Sequence, residues 1–217
     1  MSSRESILGR VRAARQPFVN VPPVEVRRDM IPDIDGPLLD RFVEEAQQLN
    51  CDVTVHAGPA EGLEHLLGLL AELVQPDEER RILSWDPEVI PLPGLKDTLD
   101  RAGIEIAAPL DASVRVGLTG VDAALAGTGS LILCAGPGKP RTVSLLPDVH
   151  VVVMTADQIV PKLETWAAAR RASGLAEFRQ SSNVLVISGP SRTADIAMQL
   201  VLGAHGPAAV HILIISG

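Results

Sequence analysis

Residues 181–207 read SSNVLVISGPSRTADIAMQLVLGAHGP, and the fold turns on how this stretch is divided. Asn183-Val184-Leu185-Val186-Ile187 is a short, continuous, β-branched run, the pattern of a strand buried on both faces of a parallel sheet. Ser188-Gly189-Pro190-Ser191 has the composition of a turn. Thr193-Ala194-Asp195-Ile196 then opens a helical pattern in which Ile196, Leu200 and Val201 share a face, and Gly203 is placed to end it. A strand, a polar glycine loop and a helix start present free N–H groups and a positive dipole end to an anion. Arg192 would add a fork of charged donors. The same letters also describe a plain crossover turn in which Ser191 or Thr193 is an ordinary helix cap.

Outward from this stretch, strands and helices alternate. Helices are expected at 2–15, Leu38–Leu49, Leu63–Val74 and Pro93–Ala102, with a short alanine-rich one at Ala123–Ala126. Another is expected from Gln158 to Ala172, capped by Asp157. Strands are expected at Asp52–His56, Arg81–Trp85, Ile104–Ala107, Val114–Leu118, Leu131–Cys134, His150–Thr155 and Val210–Ile215. This alternation is the signature of βαβ units, so the fold class is α/β with a mostly parallel sheet. Residues 16–37 hold five prolines and read as an extended segment. The chain thus divides at 37/38 into an N-terminal helical arm with a Pro-rich linker and an α/β domain over 38–217. Four arginines against Glu5 give the arm +3, which leaves −11 on the rest of a chain of net charge −8. A basic Ser/Arg start also suits a transit peptide; Glu5 argues for an arm that packs on its own domain or on a partner.

Composition narrows the function. Hydrophobic residues make up 46% but aromatics only 2%, and tyrosine is absent, so the core is built from Val, Leu, Ile and Ala. An acidic chain with few stacking platforms is a poor binder of nucleic acid. Cys51 and Cys134 are too few to ligate an iron–sulfur cluster or a four-cysteine zinc site. A reducing compartment, the cytoplasm, is expected. No apolar run is long enough to span a membrane.

The motifs are mostly negative. Gly136-Pro137-Gly138-Lys139-Pro140-Arg141 reads as a mobile basic loop, but Pro140 after Lys139, with Leu133 at the first glycine position, breaks the Walker pattern. Gly127-Thr128-Gly129 lacks the third glycine of a dinucleotide loop, because Ile132 stands there. There is no GxSxG elbow. His56, His65, His150, His205 and His211 show no metal-ligand spacing, so no metal site is expected. Asp122, Asp148 and Asp195 each follow or face an expected strand end, and ligands of open α/β sheets gather at the carboxyl ends of strands. Asp122 and Asp195 also fit first-turn helix acids, Asp148 a turn residue, and His205 a cap on the preceding helix.

Three segments in register, GLTGVDAALAGTGS (117–130), PRTVSLLPDVHVVV (140–153) and SGPSRTADIAMQLVLGAHGP (188–207), resemble the LUD-domain family, in particular the lactate utilization protein C group. LPGLKDTLDRAGIEI (92–106) adds to this, and the resemblance covers residues 38–217. It implies a layered α/β sandwich similar to the NagB/RpiA/CoA-transferase group. It also implies membership of a three-protein system oxidising L-lactate to pyruvate, whose other subunits carry the iron–sulfur motifs. This chain would be an accessory, non-redox component without a cofactor of its own, binding a small anion or a partner subunit. Loops 119–130, 144–150 and 188–195 would converge on one pocket holding Thr119, Asp122, Gly129, Asp148, Gly189 and Asp195. Thr128, Ser130, Ser191 and Thr193 would supply donors there, and Arg192 would pair a carboxylate or phosphate. Gly127 and Ala197 stand where the family has acids, which argues against independent catalysis. The alternative is a ligase- or transferase-type enzyme acting on a nucleotide, CoA ester or sugar phosphate. A third reading is a pure interaction module whose arm wraps a partner.

Overall fold

In the computed structural model, residues 3–15, 33–74, 80–175, 180–194 and 200–217 are described. The chain divides into two units, Met1–Met30 and Ile31–Gly217. The first contains helix α1, Ser3–Arg15, on which Ile7, Leu8 and Val11 are exposed. The helical reading of 2–15 therefore holds over the described residues; most of the Pro-rich segment lies outside them.

The second unit is built on six parallel strands. They are β1 (Asp52–His56), β2 (Arg81–Ser84), β3 (Glu105–Ile106), β4 (Val116–Thr119), β7 (Val149–Thr155) and β12 (Ala209–Ile215). Their order is β1-β12-β7-β4-β2-β3. The central strands are continuous apolar runs because both faces are covered; Val151, Val152, Val153 and Met154 are fully buried in β7. Helix α2 (Leu38–Gln48) buries Phe42 and Ala46, and α3 (Pro59–Leu73) buries Leu66 and Leu70, as their apolar stripes predict. Helix α3 starts a turn earlier than the stripe alone suggests. Pro59 fits a first turn, where its missing N–H costs nothing, and Glu61 accepts the Ala57 N–H at 2.8 Å. Helix α4 is Leu95–Arg101.

Strand alternation and register sort the side chains into two faces. Gly62 of α3 sits against Ile215, so the α3 face carries His211, Leu213 and Ile215, with Val151 and Val153 beside them. The opposite face carries Leu83, Gly117, Thr119, His150 and Val152. At Gly117 a Cβ would run into the Val143 carbonyl oxygen, so a 3₁₀ turn, Arg141–Ser144, packs directly on the backbone of β4.

A second sheet of four strands, in the order β8-β5-β6-β9, corrects several expectations. Ala123–Leu125 is strand β5, not helix, held between β6 (Ser130–Ala135) and β8 (Ile159–Val160). Alanine is a strong helix former, but tertiary context readily overrides propensity, and four residues before a Gly-Thr-Gly turn are too few to nucleate a helix. The expected helix from Gln158 begins instead at Leu163, as α5 (Leu163–Ala172). Thr155, not Asp157, caps a 3₁₀ turn through reciprocal bonds with Gln158; β8 follows, and Pro161 separates β8 from α5. Asn183–Ile187 is indeed a strand, β9, but it is the half-exposed edge of this second sheet, antiparallel to β6. Arg192–Ala194 and Leu200–Leu202 form an antiparallel pair, β10 and β11, where the stripe predicted a helix; residues 195–199, Asp195 and Ala197 among them, lie outside the described residues. The loop at Gly136–Arg141 is a closed turn: Gly136 and Lys139 exchange backbone hydrogen bonds of 3.2 and 2.9 Å, with Gly138 at φ +71°.

Candidate functional site

The carboxyl end of β4 and its neighbours gather polar groups that the apolar sheet does not need for folding. Thr119 and His150 are both fully buried, on the face opposite α3. Thr119 Oγ1 and His150 Nε2 share a hydrogen bond of 2.8 Å. Burial pushes the His150 imidazole down to about 3, so it stays neutral. Its other nitrogen, Nδ1, has no partner among the described residues. Trp85 Nε1 and Thr142 Oγ1 are among the other buried groups that share that condition. Trp85 continues the β2 ladder past its end, its backbone N–H donating to Leu118 O at 3.0 Å, which places it beside Thr119. Thr142 belongs to the 3₁₀ turn packed on β4. Buried polar atoms are nearly always hydrogen-bonded, so these orphans call for further partners; Trp85 lies level with Thr119 at the end of β4, and His150 level with Gly117 nearer the middle of the sheet.

A charged pair borders this group. Asp122, just after β4, accepts from the Cys134 backbone N–H at 2.7 Å through one oxygen and from Lys139 Nζ at 2.7 Å through the other. Lys139 also stands over the Trp85 ring, 5.1 Å from its centroid, in a cation–π contact. The Gly136–Lys139 turn that carries it is tied to the end of β2 by Asp86 N–H to Gly138 O, 2.8 Å. Asp122, Cys134, Gly136, Lys139, Gln180 and Ser181 line an open cleft of about 260 Å³. Lys139 has three N–H donors and gives one to Asp122. The site is therefore rich in donors yet charge-balanced, which suits the oxygens of a small acid or carbonyl compound better than a polyphosphate. Among the described residues, no group of three or more His, Cys, Asp and Glu is placed to hold a metal. Both cysteines are buried, and the Cys51 thiol is pushed up to about 11 by burial and by Asp52.

The residues singled out from sequence fall into separate places. Thr119 and Asp122 belong to the carboxyl-edge group. Thr128, Gly129 and Ser130 meet the 188–189 turn instead: Ser130 Oγ shares hydrogen bonds with Thr128 Oγ1 at 2.9 Å and with Ser188 Oγ at 2.8 Å. Gly129 and Gly189 press on the α2 end at Ala46 and Leu49. Ser191 and Arg192 are engaged locally. Ser191 Oγ accepts from the His205 N–H, and Arg192 donates to Leu49 O at 3.1 Å. His205 thus meets a turn, not a helix end. Thr193 lies on β10. Asp148 sits at the amino end of β7, opposite to the edge expected for it, where it pairs with Arg115. Trp85, Lys139, Thr142 and Ser188 were not among the candidates, and His150 was weighed only as a metal ligand. One signal was available: Trp85 is one of two tryptophans in a chain nearly without aromatics, and it closes an apolar strand.

The LUD domain family profile matches residues 39–215. Lactate utilization protein C of Exiguobacterium is 30% identical over 183 residues, 82% of this chain and 77% of that protein. The protein of the same name from Halalkalibacterium halodurans is 31% identical over 136 residues, 59% of each chain. The crystal structure of a DUF162 family protein from Deinococcus radiodurans superposes with a TM-score of 0.58 at 21% identity, covering 83% of this chain and 96% of that one. This likeness establishes the layered α/β fold. No helix of the described residues is long and apolar enough to cross a membrane.

Proposed function

Because the chain belongs to the LUD-domain family, we propose that it serves lactate utilization as an accessory, non-redox component. In this reading it binds a small organic acid at the carboxyl edge of the sheet, beside partner subunits that carry the redox centres. The names of its relatives support the lactate setting. A count of two cysteines, both buried, supports a division of labour in which iron–sulfur chemistry belongs to other chains.

One observation carries the binding role: Trp85 Nε1 is buried without a partner among the described residues, under the Lys139 ammonium that lines the open cleft beside it. A bound carboxylate would take hydrogen bonds from Lys139 and Trp85. Leaving such a buried group unsatisfied costs about 1–3 kcal/mol, so a ligand that satisfies it binds with that gain. The test is calorimetric titration of the intact protein with L-lactate and with pyruvate. Saturable binding that Trp85→Phe weakens, since it keeps the ring and removes the N–H, supports the site. Equal binding by wild type, Trp85→Phe and Lys139→Ala would refute it.

A further inference from the structure

The amino edge of the same sheet holds a second site of different make-up. Arg81 opens β2 and Arg115 immediately precedes β4. These strands run parallel with Leu83 opposite Gly117, so two residues back along the register Arg81 stands directly opposite Arg115. Like charges in that position repel, and here they are gathered in a chain of net charge −8. Each guanidinium is held by its own carboxylate. Arg81 Nη1 donates to Asp111 at 2.8 Å, and Arg115 Nε donates to Asp148 at 3.1 Å. Asp111 is itself fixed, accepting from both the backbone N–H and the hydroxyl of Ser113 at 3.0 and 2.6 Å. Glu105 lies across from Arg81 on β3, outside the lining. The Arg115 terminal nitrogens donate to no described residue.

Both arginines line one cavity of about 250 Å³, walled by Leu73 and Val74 from the end of α3, by Val114 and by Ser113. It is smaller than the usual 300–1,000 Å³ of drug-sized ligand pockets. Guanidiniums recognise planar oxyanions through paired N–H donors, while the Leu73 and Val74 wall favours a ligand with an apolar body. We propose that this cavity binds a small organic acid, a carboxylate with a short aliphatic tail, held by Arg115 and Arg81. The site lies at the opposite end of the sheet from Lys139 and does not depend on the carboxyl-edge reading.

The probes are butyrate and inorganic phosphate, titrated into the intact, isotope-labelled protein and followed through backbone amide shifts. Butyrate is expected to shift the amides of residues 73–74 and 113–116 saturably. Arg115→Ala, at a half-exposed side chain that the fold does not need, should weaken binding about tenfold, the worth of a hydrogen bond to a charged group. The shifts at residues 73–74 and 113–116 should persist in Lys139→Ala, which separates this site from the carboxyl-edge one. A melting curve of Arg115→Ala matching wild type guards against an effect through misfolding. The proposal fails if no saturation is reached by about 50 mM, far weaker than millimolar binding. It also fails if the butyrate shifts at residues 73–74 and 113–116 persist in Arg115→Ala as in wild type, if butyrate shifts only the amides around Lys139 and Asp122, or if phosphate binds here in preference to butyrate.

Discussion

Thr119 and His150, on neighbouring strands of the parallel sheet, share a 2.8 Å hydrogen bond with no water-exposed surface on either residue. The burial of His150 sets a pH dependence. In the folded protein burial holds His150 down to about 3, whereas its ordinary value is 6.5. Between those values the unfolded chain carries one more proton than the folded one, so stability rises with pH across that window and is complete above it. The loss on acidification is about 1.4 kcal/mol per pH unit for this group, or about 2 kcal/mol between pH 6.5 and 5. His56 and His211 are also shifted downward, chiefly by burial, and add in the same direction. Urea unfolding at pH 7, 6 and 5 should show this slope, and His150→Gln should flatten it. An unchanged slope in the variant would place the acid sensitivity elsewhere.

Asp122 and Lys139 are not equivalent halves of their ion pair. Removing Lys139 leaves a carboxylate that still accepts from Cys134 N–H and lies near solvent. Removing Asp122 strands both the Lys139 ammonium and the N–H of a buried strand residue. Asp122→Ala is therefore expected to cost about 2–3 kcal/mol and Lys139→Ala about 1 kcal/mol or less. Denaturant midpoints of the two single variants and the double variant measure the coupling. A larger loss in Lys139→Ala than in Asp122→Ala would contradict this ranking.

The parallel sheet was legible because β7 and β12 are apolar runs rich in β-branched residues, as burial on two faces requires, and because strands alternate with helices along the chain. Helices α2 and α3 were legible from their stripes. Strand β5 was not, because Ala123 and Ala124 have helical propensity and only the flanking strands β6 and β8 override it. The β10 and β11 segments failed for a related reason: Leu200 and Val201 fit a helical stripe, but their backbone pairs across to Ala194 and Thr193. Asp122 was found because it follows a strand. Lys139 was set aside as part of a mobile loop, since nothing local shows that the turn folds back on Trp85, far away in sequence. Asp148 was placed at the wrong edge because an acid beside a strand reads alike at either end.

The two glycines Gly129 and Gly68 should respond to the same substitution with opposite signs. Gly129 has φ +62°, and an added Cβ would meet the α2 backbone at Glu45 and Ala46. Neither a left-handed backbone nor a helix main chain yields cheaply, so Gly129→Ala should destabilise by about 2–4 kcal/mol. It should also loosen the Thr128–Ser130–Ser188 hydrogen bonds that tie the second sheet to the 188–189 turn. Gly68 is exposed in the middle of α3, with nothing within 4 Å of an added Cβ. There alanine only narrows the unfolded ensemble and supports the helix, so Gly68→Ala should stabilise by about 0.5–1 kcal/mol. Thermal unfolding of the two variants beside wild type reads both signs at once. If Gly129→Ala were neutral, the turn would not be clamped against α2. If Gly68→Ala were destabilising, α3 would be covered where the structure leaves it open.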